Sequence, residues 1–355
     1  MNNLSFRAGS KAQAIIRDGG LKPEMVKVID GAAGGPKWLV LHALDQCIFS
    51  AWLKDRKEPL FLIGASSGAW RFAAVTQRDP VSAIQDFRHA YIHQVYHKKP
   101  TKEEVSREGL RILDDYLDKD RVSQVLSHPC LRLNIMAVRS KGLAASDQHP
   151  WLGMGMAGAA ICNAISRKWL RLFFERVLFY DPRDIPPYYH MNGLPLQQVP
   201  LNEKGLKTAL LASGSIPLVM SGISEIPEAE KGVYRDGGII DYHMDLPYQV
   251  PDQKVVLMPH FYEYIIPGWF DKPLPWRKAS GSNLANLVLV SPSQSFIESL
   301  PFKKIPDRDD FFRFRRRDQE RIDYWNVVVS KSKVLGDEFL EAVTSGKIRH
   351  HIQAL

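Results

Sequence analysis

Four apolar residues, Leu60-Phe61-Leu62-Ile63, pass into Gly64-Ala65-Ser66-Ser67-Gly68 and then into the helix-forming stretch Ala69-Trp70-Arg71-Phe72-Ala73-Ala74-Val75. A strand that must become a helix within five residues has few solutions. The residue at the apex is forced into a strained backbone conformation with its side chain presented outward. The chain segments two residues either side come close together, and glycine at 64 and 68 leaves room for that contact. Ser66 therefore presents a hydroxyl at the end of a strand. The helix that follows points its first N–H groups, and the positive end of its dipole, toward charge developing there.

A second unit of the same kind lies upstream. Met25-Val26-Lys27-Val28-Ile29 reads as a strand and leads into Asp30-Gly31-Ala32-Ala33-Gly34-Gly35-Pro36-Lys37-Trp38. Pro36 suits the first position of a helix, and Trp38, Leu41, Leu44, Cys47, Ile48 and Trp52 recur behind it at helical spacing. Gly34 and Gly35 then stand where free backbone N–H groups collect, which is what an oxyanion hole requires. A phosphate cradle is the competing reading. The Walker pattern fails, because Lys37 is followed by Trp38 and Leu39 rather than Ser or Thr, and there is no GxGxxG spacing. A third segment, Gly232-Val233-Tyr234-Arg235-Asp236-Gly237-Gly238, offers a carboxylate at a strand end, with two glycines that let it approach a hydroxyl without crowding. Alone, Asp-Gly-Gly is also an ordinary turn.

Further strand candidates, Leu133 to Val138, Arg176 to Tyr180, Val255 to Pro259 and Leu287 to Val290, alternate with helical stretches. With 355 residues, 45% of them hydrophobic, the chain is long enough to bury a full core. These observations predict one α/β domain over residues 1–355, with helices on both faces of a largely parallel sheet and a C-terminal helical segment from about residue 321. No low-complexity linker or internal repeat divides it.

In order and spacing the three motifs resemble the patatin-like phospholipase family. That family carries a glycine-rich oxyanion loop ending in Arg or Lys, then a Gly-x-Ser-x-Gly elbow, then an Asp-Gly-Gly or Asp-Gly-Ala base. Gly34, Gly35 and Lys37 match the first, Ser66 with Gly64 and Gly68 the second, and Asp236 with Gly237 and Gly238 the third. Ala212-Ser213-Gly214-Ser215-Ile216-Pro217 is similar to a segment the family places shortly before its Asp, and is read as architectural. The likeness spans roughly Met25 to Pro247. The chain departs from the pattern at Ala33, at Trp38, which would narrow or reshape the entrance to the acyl pocket, and after Asp236, where Asp241-Tyr242-His243-Met244-Asp245-Leu246-Pro247 replaces an Asn-x-Pro segment.

The resemblance implies a three-layer α/β/α sandwich. It also implies a carboxylic ester hydrolase that cleaves fatty acyl esters of lipids, of phospholipase A or lysophospholipase type, through a Ser66/Asp236 dyad and an acyl-enzyme. Gly34, Gly35 and Lys37 would form the oxyanion site, with no cofactor and no metal. A carboxylate is a weak base at its ordinary pKa of about 3.9, so the dyad needs a desolvated Asp236. Three alternatives stand beside this reading: a noncatalytic lipid-binding protein on the same fold, an acyltransferase sharing the acyl-enzyme step, and a Ser66/Asp236/His260 triad in the chain order of α/β-hydrolases.

Cys47, Cys130 and Cys162 lie far apart, which argues against a zinc site or a disulfide framework. Met1 to Gly20 is polar and lacks a secretory h-region, so cytoplasmic residence is the expectation. Two segments offer peripheral contact with an anionic membrane. One is Trp151 to Ile165 with the basic Arg167-Lys168-Trp169-Leu170-Arg171, the other Phe311 to Arg317, in a chain of net charge +8. The competing readings are a buried loop and helix for the first and a solvated basic loop for the second. No reader module for nucleic acid is present, and none is expected to bind.

Overall fold

A computed structural model describes residues 2–96 and 99–355. Ten strands form one sheet: β1 (Leu4–Ala8), β2 (Val26–Gly31), β3 (Leu60–Ala65), β4 (Leu131–Ser140), β5 (Phe174–Tyr180), β6 (Leu196–Pro200), β7 (Val233–Asp236), β8 (Val255–Pro259), β9 (Leu287–Pro292) and β10 (Gln353–Ala354). Their order is β10-β1-β9-β8-β2-β3-β4-β5-β6, and β7 also pairs with β4. Six of the nine pairings are parallel, so the protein is a three-layer α/β/α sandwich about a largely parallel sheet.

The central strands explain why their sequences read as unbroken apolar runs. Every residue of β3, β8 and β9 is buried, because helices cover both faces of the sheet. Near the edge the pattern changes. In β1, Leu4, Phe6 and Ala8 are buried while Ser5 and Arg7 are half-exposed, a period-two alternation inside the polar N-terminal stretch. The helix Ser67–Val75 is buried along its whole length against β3, and Pro80–Ile92 packs on it, capped by Asp79, which accepts from the amides of Val81 and Ser82. At the C-terminus, helices Asp318–Lys331 and Lys333–Thr344 insert Trp325, Val328, Leu335 and Phe339 into the main core.

A second, smaller apolar cluster lies beside the main one. Leu152, Met156 and Ala159 of the helix His149–Ile165 meet Leu170, Phe174, Ile239, Ile240 and Phe270 there. Among the described residues no helix is long and apolar enough to cross a membrane.

Candidate active site

The strand register builds the site. β3 runs parallel to the first half of β4 and stops with Ala65 opposite Met136. β7 runs antiparallel along the second half of β4 and stops with Asp236 opposite Ala137. The two strands therefore meet head to head on β4, and Ser66 and Asp236 leave them at the same level.

Ser66 has φ 54° and ψ −130°, the strained conformation the elbow demands of a non-glycine residue. A Cβ on Gly68 would stand 2.0 Å from the Gly31 carbonyl oxygen, and one on Gly64 2.5 Å from the Ala69 nitrogen. The elbow is thus closed against β2 as well as on itself. Its amide is held from outside the motif, since the Ser66 N–H donates to Ser213 Oγ at 2.9 Å, and that hydroxyl donates to the Met136 carbonyl at 2.6 Å. Two residues on, the Ser215 carbonyl accepts from the Asp236 amide at 3.0 Å. The Ala212 to Pro217 segment, read from sequence as architectural, bonds Ser66, β4 and Asp236 in turn.

Ser66 and Asp236 line the same cavity, and the Asp236 Oδ1 accepts from the Gly238 amide at 2.7 Å. Burial pushes the Asp236 pKa above the ordinary carboxylate value. The nearby Ser66 hydroxyl, the Gly238 hydrogen bond, and the charges of Arg308 and Lys272 pull it back. Gly237 has no room for a side chain, as a Cβ there would meet the Met136 carbonyl oxygen at 2.2 Å. Below the loop, Asp241 receives a two-pronged hydrogen bond from Arg176 of β5, both contacts 2.7 Å. The segment that departs from the family pattern is therefore anchored to the sheet by a buried ion pair.

Gly34 and Gly35 open the helical turn Gly35–Leu41, where no preceding turn supplies an acceptor for their amides, and Gly35 sits at φ +55°. Both line a cavity of about 80 Å³ together with Lys37, Ser66, Asp236 and Gly238. Its apolar lining comes from Met156, Ile216, Pro217, Leu218, Ile239 and Trp269.

Two expectations change. Trp38 does not narrow the entrance: it is buried, stacks on Phe87 at 4.3 Å between ring centroids and meets Tyr91 edge-on. The wide apolar ring is used as core. His260 is absent from the cavity lining. Its Nδ1 accepts from the Tyr262 amide at 2.9 Å, its ring packs on His243, and burial lowers its pKa to about 3. The three residues of the triad reading are not brought together.

The sequence reading missed Lys272 and Arg308, which also line the cavity, and Tyr242, whose ring lies 3.9 Å from the Lys272 ammonium. No short motif marks them, because each reaches the site from a turn placed by tertiary packing. The helix His149–Ile165 combines its two readings. Leu152, Met156, Ala159 and Asn163 are buried, while Trp151, Met154, Ile161 and Ile165 are exposed, Ile161 by 66%. In the basic segment, Phe311 and Phe314 pack inward, whereas Phe312 is 75% exposed. Among the described residues no group of three His, Cys, Asp or Glu side chains is placed to hold a metal ion.

No family model and no curated sequence matches the chain. Among solved structures it is similar to human GIVD cytosolic phospholipase A2, with a TM-score of 0.42 and 9% sequence identity. The superposition covers 96% of this chain and 66% of that one, so the chain spans just under two thirds of its length. At that level of likeness the account of the site rests on its own geometry.

Proposed function

We propose that the protein is a serine acyl hydrolase acting on fatty acyl esters of lipids, with Ser66 as nucleophile and Asp236 as base. One observation carries the reading: a strained, buried serine faces a buried carboxylate at the meeting of two strands, inside a cavity with an apolar wall. Asp236 takes the Ser66 proton as the hydroxyl attacks the ester carbonyl. The Gly34 and Gly35 amides receive the negative charge that forms on the carbonyl oxygen. As the intermediate collapses, the leaving alcohol takes the proton from Asp236. Water, deprotonated by the same carboxylate, then releases the fatty acid and regenerates Ser66.

Burial supports the chemistry, since it raises the affinity of Asp236 for the proton it must accept. Peripheral contact with an anionic membrane belongs to the same proposal. Trp151, Ile161, Ile165, Trp169 and Leu172 are exposed beside Lys168 and Arg171, and Met156 of the same helix reaches the cavity wall.

The test is intact mass after exposure to a long-chain fluorophosphonate. The expected result is one adduct, located on Ser66 by peptide mapping and absent from Ser66→Ala. A wild-type protein that takes no adduct, with anionic vesicles present, would overturn the hydrolase reading in favour of a lipid-binding protein.

A further inference from the structure

The helix Pro80–Ile92 buries Ala83, Ile84, Phe87 and Ala90 against the protein, and its last turn carries two histidines four residues apart, His89 and His93. That spacing sets two side chains on one face of a helix, one above the other. Both residues are exposed, and their rings lie 4.1 Å apart between centroids with 37° between the planes. His93 ends the helix, and its amide donates to the His89 carbonyl at 3.2 Å, so helical geometry carries through to it.

The His93 ring is held in a particular way. Its Nδ1 stands 2.8 Å from the His89 carbonyl oxygen. A carbonyl only accepts, so Nδ1 carries the proton and Nε2 keeps a free lone pair. His128 and His243 are arranged the other way round: Nδ1 of His128 accepts from the Leu131 amide at 2.9 Å, and Nδ1 of His243 from the Ile266 amide at 3.0 Å. A ring whose one nitrogen donates to a backbone carbonyl while the other faces outward is oriented as metal-ligating histidines are.

We propose that His89 and His93 form a two-imidazole site for a divalent transition-metal ion of the zinc and copper class, and that the bound ion clamps the last turn of the helix Pro80–Ile92. The site lies outside the cavity of Ser66 and Asp236, which neither histidine lines, and is independent of the hydrolase reading.

Two imidazole nitrogens, each about 2.0–2.1 Å from one ion, stand about 3 Å apart. Rings at the observed separation reach that spacing by rotation of the His89 side chain, which among the described residues is fixed by no hydrogen bond. The end of a helix also suits a cation, because its last carbonyls carry partial negative charge. Arg111, which donates to the Ala90 carbonyl of the same turn at 3.1 Å, is already paired with Glu108 and Asp115, so its charge is offset. Among the described residues no third His, Cys, Asp or Glu joins the pair, and water completes the coordination. Imidazole nitrogen suits zinc, copper and nickel, whereas magnesium and calcium take oxygen ligands.

Two measurements test the site. The first is calorimetric titration of the protein with zinc(II) in a buffer that does not bind metal. The tightest-binding equivalent should weaken about 10- to 100-fold in His89→Ala and in His93→Ala, the loss expected when two points of attachment become one. Both side chains are exposed, so the variants should keep the wild-type circular dichroism. The double variant His350→Ala/His351→Ala should leave that equivalent unchanged, because adjacent residues of a helix do not share a face. Zinc binding no tighter in the wild type than in the single variants, loss of the tightest equivalent in the His350/His351 variant instead, or magnesium(II) bound as strongly as zinc(II), would overturn the proposal.

The second is thermal unfolding. An ion held by the folded turn stabilises the folded state, so zinc(II) at about a hundred times its Kd should raise the wild-type Tm by about 3 °C and leave His89→Ala/His93→Ala unmoved. An equal rise in the two proteins would overturn the clamp.

Discussion

The floor and the rim of the cavity are built on different principles. At the floor, Ser66, Asp236, Ser213 and Gly68 are buried, and their positions follow from strand register and from backbone contacts with no slack. At the rim, Lys272 and Arg308 stand, among the described residues, without carboxylate partners, and Leu218 and Trp269 show apolar surface to solvent. The floor is satisfied within the chain, as a site for chemistry must be before substrate arrives. The rim leaves charge and apolar area uncovered, which costs free energy unless a ligand or surface meets it. Substitutions in the two regions should therefore separate stability and chemistry from recognition.

The largest effect is expected at Gly68. A methyl group there meets the Gly31 carbonyl at 2.0 Å, so Gly68→Ala should destabilise the fold by about 3 kcal/mol, read by urea unfolding, and abolish fluorophosphonate labelling. A stable, fully labelled Gly68→Ala protein would show that the floor has slack.

Ser213→Ala comes next. It leaves the Ser66 amide without its acceptor and the Met136 carbonyl without its donor. Unfolding free energy should fall by about 1–3 kcal/mol. The labelling rate should fall about a hundredfold, the typical penalty for a slightly misplaced nucleophile. Stability loss with an unchanged labelling rate would make Ser213 a structural residue only.

On the exposed face of the helix His149–Ile165 and the turn Arg167–Leu172 after it, the sign of the comparison reverses. Ile161→Ser and Trp169→Ser should change stability by no more than about 0.5 kcal/mol, because both side chains are exposed. Each should lower affinity for anionic vesicles about tenfold in cosedimentation, the loss expected when a side chain of this size no longer enters lipid. Unchanged vesicle binding in the double variant would remove the membrane from the account.

The same division governs what could be read from the sequence. The floor was legible because each part is a short segment with its own local constraint: an apolar run, a glycine where the backbone has no room, and a carboxylate with two glycines behind it. The central strands were legible because burial on both faces leaves them uninterrupted by polar residues, as in β3 and β9. β1 escaped because its three apolar residues alternate with Ser5 and Arg7 and sit in a polar stretch, and β6 because three of its five residues are only half-buried. Trp38 misled because its place in the motif suggests the entrance, whereas stacking on Phe87 turns it into the core. Lys272 and Arg308 had no local signature at all. Their meeting depends on Asp271 being held by Asn163 and Arg167, more than a hundred residues earlier in the chain.

If Asp236 takes the proton from Ser66, the rate of fluorophosphonate labelling must follow the ionisation of that carboxylate as pH changes. Only the ionised carboxylate can accept the proton, and burial raises its pKa above 3.8. The wild-type rate should therefore be low in acid, rise through a midpoint above the ordinary carboxylate value, and level off toward neutral pH. Asp236→Asn should lose that rise and label about a thousandfold more slowly at neutral pH, with its fold intact by circular dichroism. An Asp236→Asn protein that labels at the wild-type rate, or that keeps the same pH limb, would show that Asp236 is not the base.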